Sequence, residues 1–524
     1  MATQAARPTD RLFWLVVLLV GVIVLAVVLG LQLFPRLGAG DRVLDNARPA
    51  FTAERVAGDR AGINYVSTVV DLADPLVTAE GGAAAEVPKL VTFLSAQTGL
   101  APDAVVGILQ TNFPKTTNLL TALPLSDVNA EIQGTSGKPG LVEVVATTLK
   151  LPPDQVRTAI AQNFPRLNQS IQALPTVVNG WNNVPGIDGL TRFNGTPVKT
   201  APQLRDYFRD DVIPAVENQR NDFQRLDTTW PPINFIPPLL TFLGIAVVIF
   251  GLVMVMMSLK ANRPPGESVI TWSIVAVLGL VVILLVLGLQ LYPRLGAGDR
   301  VLNGLRPAFA AERVTGDRAG INFVSTAVDL LDPIMLPEGG AAAEVPKLVT
   351  FLSTQTGLPA NDIVGVLKTN FPKTTNLLLA LPLSDVNAEI QGTNGKPGLV
   401  DFVATTLKLP PATVTTAIAQ TFPRLNQSIQ ALPTVVNGWN NVPGIDGLTR
   451  FDGTPVKTAP QLREYFRDDV IPVMESQQAN FQKLDTTWPP VTFFPPLLTI
   501  VGIIVLVYAL LMVFLARSRA AAVQ

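Results

Sequence analysis

The sequence predicts an all-α membrane protein with four transmembrane helices and two tandem, proline-kinked helical extracytoplasmic domains related by internal duplication. Three observations lead there. The runs Leu12–Phe34, Leu239–Leu259, Ile270–Tyr292 and Leu497–Ala516 contain no Asp, Glu, Lys or Arg, and each has the roughly 20 residues a helix needs to cross a hydrocarbon layer. The long stretch between the first two runs returns, almost unchanged, between the last two. Both copies carry apolar residues at helical spacing broken by prolines, and alternating strand patterns are scarce.

Composition narrows the function. Of 524 residues 48% are hydrophobic and the mean hydropathy is +0.37, high for a soluble chain. With 39 basic and 40 acidic residues there is no positive excess to offer a nucleic acid, so no such partner is expected. Cysteine and histidine are both absent, which removes disulfides, thiolate and imidazole metal ligands, and the commonest general base. No cofactor or metal is expected. No serine stands in Gly-x-Ser-x-Gly and the usual nucleophile pairings are missing, so the chain does not read as an enzyme.

Taken in order, residues 1–11 form a cytoplasmic flank in which Arg7 and Arg11 precede the first apolar run. Transmembrane helix 12–34 is longer than the apolar region of a cleaved signal, and its counterpart lies mid-chain, so it reads as a retained anchor. Extracytoplasmic domain 35–236 follows, then transmembrane helix 237–259. The cytoplasmic link 260–269 carries Lys260 and Arg263. Transmembrane helix 270–292, extracytoplasmic domain 293–494, transmembrane helix 495–516 and the cytoplasmic tail 517–524, with Arg517 and Arg519, complete the chain. Basic residues in the short segments place both termini in the cytoplasm of a multi-pass cell-membrane protein, against the opposing pull of Arg36, Arg42 and Arg48. Trp14 and Trp272 are expected near the inner interface, Trp230 and Trp488 near the outer one. Gly244 and Gly251 share one helix face and read as packing sites. The spans hold no charge, so an ion path through them is not expected.

The duplication is close. Gln32-Leu-Phe-Pro-Arg-Leu-Gly-Ala-Gly-Asp-Arg42 returns as Gln290-Leu-Tyr-Pro-Arg-Leu-Gly-Ala-Gly-Asp-Arg300, and the same offset carries Trp14 to Trp272, Trp181 to Trp439 and Trp230 to Trp488 without a gap. The copied unit is helix, ectodomain, helix, so both copies share one orientation, unlike inverted transporter repeats. A second repeat lies inside each ectodomain: Pro88-Lys-Leu-Val through Asn112-Phe-Pro to Pro124 matches Pro139-Gly-Leu-Val through Asn163-Phe-Pro to Pro175. Pro88 and Pro139 suit first helical turns, Gly99 suits a helix end, and Ser126–Glu131 reads as a short capped helix. Phe-Pro, at Phe113, Phe164, Phe371 and Phe422, is a joint where a helix kinks or restarts, since proline lacks a donor and clashes with the preceding turn. Phe113 and Leu123 are expected in the core, and Pro202–Asp227 is a helix kinked at Pro214.

One irregular stretch, Thr176–Thr200, is a chain of Asn-Gly, Pro-Gly and Asp-Gly turns, and Thr434–Thr458 repeats it. Trp181, Asn182, Asn183, Arg192 and Phe193, with Trp439, Asn440, Asn441, Arg450 and Phe451, are the candidate partner or ligand residues, offering stacking and hydrogen bonds. The competing reading is a loop that buries its own aromatic residues. Asp210-Asp211 and Asp468-Asp469 are adjacent carboxylates on a helix, read as a solvated face more readily than as a cation site. Leu37-Gly-Ala-Gly-Asp41 lacks the Lys-Ser/Thr of a phosphate loop and reads as a flexible membrane exit.

The layout of a helical ectodomain between membrane helices is similar in topology to chemoreceptor-type sensors, without a shared motif. The expected role is that of a non-enzymatic integral membrane envelope protein whose duplicated ectodomains bind a protein partner on the extracytoplasmic side, as scaffold or accessory subunit. Two equal tethered modules would raise effective concentration for a repeated partner. The alternative is a lipid or other apolar ligand held between kinked helices, as a sensor or transport accessory. The bilayer itself is the remaining partner.

Overall fold

The computed structural model describes residues 8–228, 230–260, 269–393, 395–485 and 490–521. Most of the 1–11 flank, residues 261–268 of the link with Arg263, Trp488 and the end of the 517–524 tail lie outside the described residues. The chain is 80% helix and has no strand among the described residues, as its apolar periodicity predicts. Isolated bridges only close turns, such as Thr135 with Lys138 and Thr191 with Pro197.

Three helices are long and apolar enough to cross a membrane, Ile233–Met257, Val269–Gly288 and Phe494–Ser518. A fourth span exists if Trp14–Gly30 and Leu33–Phe51, bent by 49° at their junction, are taken as one. The bend falls at Gln32, whose φ of 51° is left-handed; an L-residue other than glycine adopts that conformation at a cost of roughly 1–2 kcal/mol. Gln290 breaks the second copy in the same way, with φ 50°. The apolar runs 12–34 and 270–292 therefore each stop short of their expected ends.

Contacts divide the chain into two compact units, and they do so by segment, not by copy. One comprises Met1–Thr52, Ala215–Ala311 and Val473–Gln524, the other Ala53–Pro214 and Glu312–Pro472. The stretches 35–236 and 293–494 each supply both units, where the sequence suggested one body per copy.

In the first unit, Pro8–Gly30 packs along Ile236–Lys260, and Val269–Gly288 along Phe494–Ala521. Glycine sets the approach. A Cβ on Gly251 would stand 2.9 Å from the backbone of Leu18, and one on Gly279 would stand 2.7 Å from the backbone nitrogen of Leu506. Small residues permit this packing, in which dispersion and not water exclusion drives association. Trp14 and Trp272, expected in an interfacial belt, are fully buried and stacked on each other, with ring centroids 4.5 Å apart and planes at 10°. Trp230 is 84% exposed. The supposed flexible exit Leu37–Asp41 lies inside the helix Leu33–Ala47, because Leu33, Leu37 and Leu44 fall at helical spacing and are buried. Paired stacks, Phe51 on Phe223 and Phe309 on Phe481, and ion pairs of Arg48 with Asp227 and Arg306 with Asp485 repeat the same joints in both copies.

In the second unit each inner repeat is a string of short helices. Ala83–Thr98 ends at Gly99 with φ 70°; Pro102–Asn112, Pro114–Ala122 and Leu125–Gln133 follow. Pro88 lies within the first of these, because Ala83, Ala84 and Ala85 are strong helix formers that begin it earlier than Pro88. Pro139 lies outside the helix Leu141–Leu149, before its Gly140 cap. The four Phe-Pro joints are full breaks. Phe113, Phe164, Phe371 and Phe422 have φ between −135° and −131° and ψ near 60°, and each is buried while the following proline opens a new helix. Phe113 and Leu123 lie in the core, 3% and 1% exposed. Leu125–Gln133 is helical without the expected serine cap. The expected kink at Pro214 is relieved by a π-turn over Phe208–Val212, which ends two residues earlier and whose wider ring tolerates the missing donor.

Candidate functional site

The Phe-Pro helices open with amides that their own copy does not cap, and the other copy supplies a carboxylate to each. Glu389 accepts from the backbone N–H of Lys115 at 3.0 Å and of Thr116 at 2.7 Å; Glu131 accepts reciprocally from Lys373 and Thr374. Glu344 caps Arg166 and Leu167, and Glu86 caps Arg424 and Leu425. A negative group at a helix N-terminus satisfies donors and meets the positive end of the dipole. These reciprocal caps make the interface between copies isologous, as in a two-fold dimer whose subunits have been fused.

The irregular loop is part of that interface. Trp181 is buried and donates its indole N–H to Asp74 at 2.7 Å; Trp439 donates to Asp332 at 2.9 Å. Arg192 forms a two-pronged ion pair with Asp211, which holds its guanidinium above its ordinary pKa, and Arg450 does the same with Asp469. Phe193 lies under Arg313 and Phe451 under Arg55, with cations 4.9 and 4.7 Å from the ring centres. Those arginines also donate to the loop backbone, Arg313 to Thr191 and Arg192, Arg55 to Thr449 and Arg450. Asn182, Asn183, Asn440 and Asn441 are exposed. Val184, Ile187, Leu190 and Val198 are buried as the loop's own core. The adjacent carboxylates are held by arginines, Asp210 by Arg209 and Arg192 and Asp211 by Arg192, and among the described residues no group of acidic side chains could hold a metal ion.

Two more carboxylates are buried beneath the loops. Asp59 lies beside Tyr465, and Asp317 beside Tyr207. Loss of hydration pushes each up to about 7, against the smaller opposing pull of the tyrosine hydroxyl and of Arg55 or Arg313.

Between the copies lie three apolar cavities in a row. The axial one, about 90 Å³, is walled by Val66, Val70 and Trp181 of the first copy and by Val324, Val328 and Trp439 of the second. A side cavity of about 110 Å³ is enclosed by Leu141, Val156 and Leu174 against Phe351, Leu367 and Phe371. Its counterpart, about 80 Å³, is enclosed by Leu94, Leu109 and Phe113 against Leu399, Val414 and Leu432. Leu125, Leu330, Ile334 and Leu377 face both the axial cavity and the first side cavity; Leu72, Leu76, Leu119 and Leu383 face both the axial cavity and the second. The axial cavity thus shares wall residues with each side cavity.

Each side cavity reaches toward the surface. Leu94, Leu109, Val403 and Leu407 continue from the second side cavity into a small apolar mouth beside the half-exposed Leu100 and Ile108. At the first, Ile132, Leu141, Ile160 and Ile171 form both the cavity wall and the floor of a surface groove of about 560 Å³, which Gln133, Glu143, Arg157, Asn168 and Gln172 line.

Of the ten residues singled out from the sequence, Trp181 and Trp439 reach a cavity; the other eight do not line any of the three. No linear motif marks the cavity walls, because half of each wall comes from the other copy. The available signal was the apolar helix face beside the Phe-Pro joints. The fold defines an all-α membrane protein with a helical unit that has cavities in its apolar core. No family model, curated protein or solved structure matches the chain.

Proposed function

We propose that this is a non-enzymatic envelope protein whose duplicated segments lie on the extracytoplasmic side and together hold an elongated apolar molecule, as a sensor or transport accessory. The observation that supports it is the row of three predominantly apolar cavities that share wall residues. A cavity of ~150 Å³ takes one benzene. No single cavity here reaches that size, and the three together pass it, so a thin chain running through them fits better than a compact ring. A pocket between helices with dry walls is a common ligand site.

A protein scaffold drew its appeal from two separate modules tethered for a repeated partner. With Ala53–Pro214 and Glu312–Pro472 joined in one unit, the cavities enclosed between the copies favour the ligand reading. The test is native mass spectrometry of the full chain, released from an amphipathic polymer after growth without added lipid. A retained mass of a fatty or isoprenoid compound, lost on Ala73→Phe at the axial wall while the unfolding midpoint stays within a few degrees, supports the reading. A chain that carries nothing and takes up no dodecane overturns it.

A further inference from the structure

The groove and the side cavity it overlies have opposite character and a common floor. Ile132, Leu141, Ile160 and Ile171 show one side to a space walled by carbon and border a space rimmed by amides and charges. That is the shape an amphiphile needs, with its tail below and its head above. On the rim, Arg157 donates to Glu143 at 3.2 Å and to Asp154 at 2.9 Å, and all three side chains are largely solvated, 56%, 41% and 94% exposed. Such a pair is worth ~1 kcal/mol or less and exchanges readily for another partner.

The second copy supplies an internal comparison. Gln391, Asn426 and Gln430 keep the amides of Gln133, Asn168 and Gln172, and Asp401 keeps the acid of Glu143. Thr415 stands where the first copy has Arg157, and Ala412 where it has Asp154. The two copies, so alike elsewhere, differ in charge on this rim.

Resting on the apolar-ligand reading, we propose that the first copy's groove binds the head of a zwitterionic phospholipid, phosphate on Arg157 and ammonium on Glu143, with one acyl chain entering the side cavity beneath and running on into the axial cavity. A head of one sign only would meet a like charge on the rim, either Glu143 and Asp154 or Arg157. A head carrying both signs replaces the Arg157–Glu143 pair with two new ones, while Arg157 keeps its contact with Asp154. The chain could belong to a single-chain lipid or be one tail of a two-chain lipid.

The test uses the full chain in amphipathic polymer, titrated with lysophosphatidylethanolamine, lysophosphatidylglycerol and an alkyl glucoside of matched chain length, with dodecane as the probe of the cavity alone. The expected result is at least tenfold preference for lysophosphatidylethanolamine over the other two, abolished by Arg157→Thr and by Glu143→Gln, with dodecane uptake unchanged in both variants. Diacyl phosphatidylethanolamine in vesicles, presented in competition, separates the two sources: displacement of the single-chain lipid assigns the site to one tail of a membrane lipid, and its failure assigns it to the single-chain form. Dodecane binding with no preference among heads overturns the head site and leaves the cavity reading standing. Preference for the glucoside or for lysophosphatidylglycerol overturns it too. Absence of dodecane binding overturns both.

Discussion

Glu389 of the second copy places its carboxylate 2.7 Å from the backbone N–H of Thr116 and 2.8 Å from its hydroxyl, so that the helix begun by Pro114 is completed by the other copy. The recurring Asn-Phe-Pro stretch is therefore a joint twice over. It ends one helix within a copy and receives the other copy at the start of the next. Removing the carboxylate strands donors that are partly buried, and bonds to charged groups are worth ~1.5–3 kcal/mol. Glu389→Ala is expected to lower unfolding free energy by about that amount, and Glu131→Ala to do the same, with the double variant close to additive because the two caps share no residue. Denaturant titration of the full chain in detergent measures this. Losses below a few tenths of a kcal/mol in both variants would remove the caps from any account of how the copies hold together.

Within the joint, Phe113 and Pro114 have different jobs. Phe113 is buried and meets Phe402 of the other copy edge-on, with centroids 5.2 Å apart. Phe113→Ala should cost ~3–5 kcal/mol through lost burial and the cavity it leaves. Pro114 occupies a first helical position where its missing donor is not needed and chiefly restricts the unfolded chain, so Pro114→Ala should cost only ~0.4–1 kcal/mol. Thermal unfolding of both variants decides between them. A proline variant more damaged than the phenylalanine variant would mean that the break itself, and not its packing, organises the repeat.

How much of this was legible in the sequence depends on whether a residue's partner sits within its own copy. The helix break at Phe113, the left-handed cap at Gly99 and the close approach at Gly244 and Gly251 are local or nearest-helix matters, and periodicity and residue type expose them. The bend at Gln32 was hidden because nothing about a glutamine in an apolar run announces a left-handed backbone. The division of the chain was hidden for a different reason. Two closely similar halves can each close on themselves or exchange every contact, and the same Trp181, Glu131 and Phe113 satisfy either arrangement. The cavities share that ambiguity, since neither copy encloses one alone.

The membrane helices give a sharp size test. A Cβ at Gly251 or Gly279 would press on backbone that cannot rotate away, whereas one at Gly288 would meet nothing within 4 Å. Gly251→Val and Gly279→Val should each cost ~1–3 kcal/mol by overpacking, and Gly288→Val should be close to neutral. The midpoint of heat-induced aggregation in one detergent, measured for all three, reads the difference. Equal shifts would show that valine's effect on the helix, and not the helix contact, sets the outcome.

The buried acids Asp59 and Asp317 make stability depend on pH in the direction opposite to the usual carboxylate. Each has an ordinary value of 3.8 and is pushed up to about 7 in the folded chain, chiefly by loss of hydration. Between those limits the folded state holds a proton that the unfolded state has released, so stability falls as pH rises. The contribution is complete below about pH 4 and is lost progressively up to about pH 7, at no more than ~1.4 kcal/mol per pH unit for each group. Asp59→Asn with Asp317→Asn keeps the shape and removes the titration. Relative to the wild type, the double variant should therefore gain stability steadily from pH 4.5 to pH 7 and gain no more above it. Unfolding midpoints collected for both proteins across pH 4.5 to 8 test this, since every other titrating group contributes equally to both curves. Parallel curves would mean that the two acids ionise at ordinary values, with Arg55 and Arg313 compensating the burial in full.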